Sequence, residues 1–339
     1  MSSRNDDHGA NLLVRTQTCL DGLLSQLERF RIVSELILVD WNPPPDKPAL
    51  KDIITWPQTL RYSTIRVITV PPSIHNRYDG AEKIPMNVVA ALNCAIRRAR
   101  GEFVLPRTAD LLYADELMAF IAGKKLNNGE RYRVDRYDVD RNVVNCPTLE
   151  EQLKYCRTHV LKINSRQPPP KGFPALHTNA SGDFELMSRH YWHLLRGYRE
   201  GDIPAAYGDS LLSYASYVAG VKEVVLEAPL CIYHIDHDNQ FNTRLVQEKL
   251  PLQKLLEPPF LPSGFNRKMV GLYRVILTTF GYKLKSSVAG VATLDYSEFL
   301  KMGRKMLAGK RTYVFNDENW GLRDENLEEC IINRAEWDK

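Results

Sequence analysis

The chain has 339 residues, 44% of them hydrophobic and 25% charged, with a formal net charge of +4. That is enough for one large α/β domain with an appendage, or for two small domains, with the composition of an ordinary soluble globular protein. The basic excess is too slight for a nucleic-acid partner, and no apolar run approaches the roughly 18 residues needed to cross a bilayer.

The polar opening, residues 1–7, does not read as a signal peptide, so a cytoplasmic protein is expected. Residues 10–31 carry Leu12, Leu13, Leu20, Leu23, Leu24 and Leu27 at helical spacing. A strand over 35–40 ends at Asp40 and opens into Trp41-Asn-Pro-Pro-Pro. A second strand over 63–70 stops at Pro71-Pro72, and a helix begins near Pro85, a residue suited to a first turn. Arg97, Arg98 and Arg100 close that helix; a solvated, dipole-matched helix end is the expectation, with a diphosphate or a membrane surface as alternatives.

A short apolar strand follows at 102–105, then Thr108-Ala-Asp110. Asp110 has two readings: an N-cap for a helix over 111–122, or a ligand to a metal or ribose beyond a strand end. A strand over 132–137 closes the first half. Residues 141–180, with Pro168, Pro169, Pro170 and Gly172, read as loops lying over a site. Regular pattern resumes with a strand at 183–187, helices from about 188 and 209, and a strand at 221–226 leading to Tyr233-His-Ile-Asp-His237. Beyond 245 the pattern turns helical, at 252–255, 269–280 and 296–307.

This alternation predicts an α/β fold, a mostly parallel sheet flanked by helices, over 1–244, with a mostly helical extension over 245–339. Cys19, Cys94, Cys146, Cys156, Cys231 and Cys330 are scattered with no Cys-x-x-Cys pair, so buried reduced thiols are expected rather than a zinc site.

Taken in order, the strand ending in Asp40, Thr108-Ala-Asp110, Ser181-Gly-Asp-Phe-Glu-Leu-Met-Ser188, Gly208-Asp209 and the His234/His237 pair resemble the nucleotide-sugar glycosyltransferases of the GT-A fold, most like the broad family 2 group, over roughly 4–240. The resemblance implies a GT-A (Rossmann-like) sheet and sugar transfer from a UDP- or GDP-linked donor to a hydroxyl acceptor. It places Asn5, Asp6 and Asp40 around the nucleotide, with residues 2–6 as the end of a first strand that is either short or truncated. Asp110, in a Thr-Ala-Asp that keeps only the second carboxylate of the family's Asp-x-Asp, becomes a donor and metal ligand beside His234 and His237. The cofactor implied is Mn²⁺ or Mg²⁺. Asp183 would cradle the donor sugar, with His177, Asn179 and Ser181 as hydroxyl partners. Asp209 becomes the general base of an inverting displacement, against an N-cap reading for helix 210–219.

Trp192 is expected in the core, Trp41 in an exposed stacking loop, and Trp320 at the surface near the acceptor. A non-catalytic nucleotide- or glycan-binding relative is the alternative from another class. A nucleotidyltransferase is a third reading, with no Gly-rich phosphate loop near the N-terminus to support it.

Overall fold

Asp40 and Trp41 end a strand that pairs in parallel with its neighbour over eight residues, from Ser34↔Ser63 to Trp41↔Val70. In this computed structural model, which describes residues 1–201, 203, 206–237, 287–288 and 291–338, that pair is β2 (Ser34–Trp41) and β3 (Ser63–Val70). β1 (Ser2–Ser3) lies parallel on the other edge of β2, and β12 (Glu328–Asn333) is antiparallel on β3. The helices are α1 (Leu12–Arg29), α2 (Leu50–Ile53), α3 (Pro72–His75), α4 (Val88–Arg98), α5 (Asp115–Ala122), α6 (Leu149–Thr158), α7 (Arg189–Leu195), α8 (Gly208–Val218) and α9 (Tyr296–Leu307).

Alternation along β2 sends its side chains into two cores. Leu36 and Leu38 pack with Leu20, Leu24 and Leu27 of α1, whereas Ile37 and Val39 meet Ala90, Ala91 and Ala95 of α4. Both faces are therefore apolar, as a strand covered by helices on both sides requires. α4 starts at Asn87 rather than at Pro85, and the Asn87 side chain accepts the Ala90 N–H at 3.0 Å.

The second sheet has the order β4 (Phe103–Val104), β8 (Leu186–Ser188), β6 (Glu130–Val139), β9 (Lys222–Ile235), β5 (Leu111–Tyr113), with β7 (Val160–Asn164) also on β6. β6 and β9 are parallel and the other pairings in this sheet are antiparallel. The chain is thus mixed α/β, with parallel and antiparallel pairing in both sheets rather than one mostly parallel array.

Several boundaries move. The helix expected over 111–122 is strand β5 followed by α5, whose N-cap residue is Ala114. The strand expected over 221–226 runs on to Ile235, so His234 stands within β9 rather than on a loop. The strand expected at 183–187 is a 3₁₀ turn, Ser181–Asp183, followed by β8. The helices expected at 252–255 and 269–280 lie outside the described residues. α9 forms as expected and packs Phe299 against Tyr214 of α8. The same C-terminal region also supplies strand β12 and the small hairpin of β10 (Ser287–Val288) and β11 (Val291–Ala292).

The arginines at the end of α4 are not a solvated helix end. Arg98 donates to the carbonyls of Gly321 and Leu322 at 2.7 and 2.6 Å, Arg97 donates to Trp320 at 3.1 Å, and Arg100 pairs with Asp338 at 3.0 Å. They hold the C-terminal segment against α4. Gly321 permits that approach, since at φ +66 a Cβ there would stand 2.6 Å from the Asn93 carbonyl oxygen. Trp320 is accordingly buried, 4% exposed beneath the Arg97 guanidinium, and does not border an open acceptor surface. All six cysteines are free, and no described helix is long and apolar enough to cross a membrane.

Candidate metal centre

The antiparallel pairing of β5 with β9 sets Leu111 opposite His234, and the Ile235 N–H donates to the Asp110 carbonyl at 3.1 Å. Two backbone links therefore fix the Asp110 side chain beside the histidines. Asp110 Oδ2 lies 3.3 Å from His237 Nε2 and 3.7 Å from His234 Nε2. The capping role for Asp110 is excluded, because α5 begins five residues later with Ala114 as its N-cap.

Asp110 is 7% exposed, and its Oδ1 has no hydrogen-bond partner among the described residues. Burial alone would push its carboxyl up; the hydrogen bond from His237 and the charges of His234 and His237 outweigh this and hold it well below the usual carboxylate range. On the far side of His234, Asp138 Oδ1 stands 3.3 Å from Nδ1. Despite burial, His234 and Arg136 hold the Asp138 carboxyl at about 2. Burial likewise works to lower the His234 pKa, and Asp138 with Asp110 raises it instead. One imidazole thus sets Nδ1 near a carboxylate and Nε2 near Asp110, although neither His234 Nδ1 nor Asp138 Oδ1 makes a hydrogen bond among the described residues. A small rotation would give the posture in which an outer carboxylate orients a metal-ligating histidine.

Ligand atoms of Asp110, His234 and His237 all lie within 4.8 Å of one another. Donor atoms bound to one ion at about 2.0–2.2 Å stand only some 3–4 Å apart, so modest tightening closes the set. Two imidazoles with one carboxylate, and an orphaned oxygen beside them, fit a divalent ion of the Mn²⁺ or Zn²⁺ type. Mg²⁺, which favours oxygen ligands, fits less well.

A second ring of charge surrounds these three. Asp183, in the 3₁₀ turn, accepts from Thr108 Oγ1 at 3.2 Å and from Arg136 Nη1 at 2.6 Å. Arg136 Nε reaches Asp138 at 2.9 Å, which completes a relay Asp183–Arg136–Asp138–His234. Asp209 Oδ2 accepts the Gly182 N–H at 3.0 Å, and Oδ1 accepts the Ser210 N–H at 2.7 Å. Tyr207, not Asp209, is the N-cap residue of α8, so Asp209 instead ties that helix to the Asp183 turn. Arg133, buried in β6, holds the segment leading to that turn by donating to the carbonyls of His177, Asn179 and Ser181 at 3.0–3.1 Å.

The other expected residues are placed differently. Asn5 donates to the Pro48 carbonyl at 2.9 Å, and Asp6 pairs with Arg4 at 2.8 Å. From there the chain reaches His8, whose ring lies 6.3 Å from that of His237, so the end of the first strand adjoins the Asp110–His234–His237 cluster. Asp40 is fully buried; its Oδ2 accepts the Leu50 N–H at 2.8 Å, where α2 begins, and burial pushes its carboxyl up. Trp41 is not a stacking platform. It is fully buried, donates to His75 Nδ1 at 2.8 Å and meets the His75 and Tyr78 rings. Trp192 is in the core as expected.

His177 is buried against Asp135 at 2.9 Å, while Asn179 and Ser181 donate to the carbonyls of Ser165 and Thr178. These three side chains support the turn from within. Sequence reasoning missed Arg133, Arg136, Asp138 and His8. One signal was available: along β6 the face that begins Tyr132, Val134 turns polar at Arg136 and Asp138, as a core face does on reaching a site. His8 gave no such signal.

The chain matches no protein-family model, and no curated protein is significantly similar to it.

Proposed function

We propose that this chain is a cation-assisted glycosyltransferase with a GT-A-like domain, moving a sugar from a UDP- or GDP-linked donor to a hydroxyl acceptor with inversion. One observation carries the proposal: Asp110 meets His234 and His237, a pair more than 120 residues further along the chain, with ligand atoms within 4.8 Å of one another. The parallel β1–β2–β3 array with helices on both faces supports the GT-A reading, and six free cysteines support a cytoplasmic setting.

A divalent ion bound there would supply Lewis-acid neutralisation of the departing diphosphate. The protein's own groups divide the remaining work. Asp183, held by Arg136 and Thr108, stands ready to accept from donor-sugar hydroxyls. Asp209 is fixed by two backbone N–H groups and keeps lone pairs for an acceptor hydroxyl proton, the role of general base in direct displacement. Asn5 and Asp6 stand at the end of the first strand, where a nucleotide would lie, whereas the buried Asp40 supports the start of α2 from beneath.

The Asp209→Asn variant tests this division. Transfer falls by a factor of roughly 10²–10⁴, the usual contribution of a positioned base, while donor affinity measured calorimetrically stays within about twofold. Wild-type turnover in the variant would reduce Asp209 to a structural tie.

A further inference from the structure

Trp41 and Trp320, the tryptophans whose sequence positions suggest sugar contact, are both buried. An exposed aromatic surface lies instead where the starts of α8 and α9 meet. Tyr207, the N-cap residue of α8, and Tyr296, the first residue of α9, are 38% and 43% exposed. Both rest on Phe299. Its ring stacks on Tyr207 with centroids 5.4 Å apart and planes 20° from parallel, and on Tyr296 at 5.9 Å and 27°. Phe173 stacks on Phe299 in turn at 6.1 Å, and Phe173 and Phe299 are both buried. The two outer rings, 5.5 Å apart, therefore sit on a fixed aromatic base.

Joining α9 to α8 does not require this surface. Phe299 and the buried Tyr214 already meet between the two helices, and leaving two large rings half in water forgoes stabilisation that their burial would supply. Tyr207 also holds φ at +57, a conformation that is costly for a bulky side chain and is retained most often at ligand sites. Tyrosine suits such a place, since its apolar body packs against a partner while its polar tip stays wet.

We propose that Tyr207 and Tyr296 form a stacking platform for a pyranose ring of an oligosaccharide, which offers its apolar C–H face to the two aromatic rings. That this oligosaccharide is the acceptor rests on the transferase reading; the saccharide site itself does not. Tyr207 stands two residues before Asp209, yet the two side chains diverge. Tyr207 lies against α9, whereas Asp209 is tied to the Gly182 N–H. Residues two apart on a helix do not face each other, so one sugar ring cannot serve both. The ring that stacks is a neighbour of the ring whose hydroxyl reacts, and the ligand has two or more sugar units.

The test uses the full chain, saturation-transfer NMR and four probes: cellotetraose, chitotetraose, glucose, and sorbitol, an open-chain polyol with no ring to stack. The expected result is saturable binding of a tetrasaccharide in the absence of any donor, with weaker binding of glucose and none of sorbitol. Tyr207→Ala and Tyr296→Ala each weaken tetrasaccharide binding by about tenfold, while Tyr207→Phe and Tyr296→Phe hold it within about twofold, because the ring carries the contact. Tetrasaccharide binding indifferent to both alanine variants would overturn the proposal. So would sorbitol binding equally well, or no tetrasaccharide binding to a chain whose circular dichroism shows it folded. A chain that binds the tetrasaccharide through the tyrosines but releases no UDP or GDP from any donor would keep the saccharide platform and refute only the transferase reading.

Discussion

His234 is the residue on which the candidate site turns, because its two ring nitrogens face two carboxylates of different standing. Asp110 lies within reach of both His234 and His237, and Asp138 stands behind the His234 ring. Asp138→Asn is therefore expected to weaken Mn²⁺ binding by about 10–100-fold, the cost of losing an outer-shell carboxylate. The fold should be unaffected, which calorimetric titration and far-UV circular dichroism check together. Trp41 makes the opposite case. Its place after a strand end resembled a ligand platform, but the indole is sealed between His75 and Tyr78. Trp41→Ala should cost about 3–5 kcal/mol of stability, read from urea unfolding, through a cavity and an orphaned His75 nitrogen. The sequence named the aromatic residue; it could not say that α3 folds back over it.

The elements show where local pattern is informative and where it is not. β2 and β3 were legible to within a residue at each end, because aliphatic runs closed by proline leave little choice. Residues 111–122 were misjudged, because Leu-Leu-Tyr suits either period and the deciding fact is a partner: β9 arrives from more than a hundred residues away to pair with it. β12 was missed for the same reason. Its six residues, Glu-Glu-Cys-Ile-Ile-Asn, are short and of mixed polarity, and it stands as an edge strand through Arg66, which bonds Glu329 and Glu35 at 2.7–3.0 Å. Hydrogen bonding to Arg66 depresses the Glu329 pKa below its ordinary 4.5. That stabilisation is complete above pH 4.5 and is lost as pH falls through the depressed folded value. Amide exchange in β12 should therefore accelerate in acid before exchange in β2 does, and Arg66→Met should abolish the difference.

At the scale of the whole molecule, the candidate site depends on three distant parts of the chain meeting at one corner: the turn before β5, the polar end of β6 and the end of β9. The ordered motifs and the family they resemble named Asp110, His234, His237, Asp183 and Asp209 together, along with Asn5, Asp6 and Asp40. They could not supply Arg133, which acts from inside β6 on three carbonyls of the segment before Asp183. Arg133→Met leaves those carbonyls buried and unpaired, at about 1–3 kcal/mol each if none is rescued by water. The variant should lose stability, measured by thermal melting, and free the Asp183 turn, measured as faster exchange at Gly182.

Nucleoside diphosphate release from UDP- and GDP-sugars, followed with and without Mn²⁺ in the wild type and in the Asp110→Asn and His234→Ala variants, tests the central claim most directly. The account predicts cation-dependent release of UDP or GDP with one donor class, lost in both variants while the fold persists. Release of pyrophosphate instead, or turnover indifferent to both the cation and the two substitutions, would contradict it.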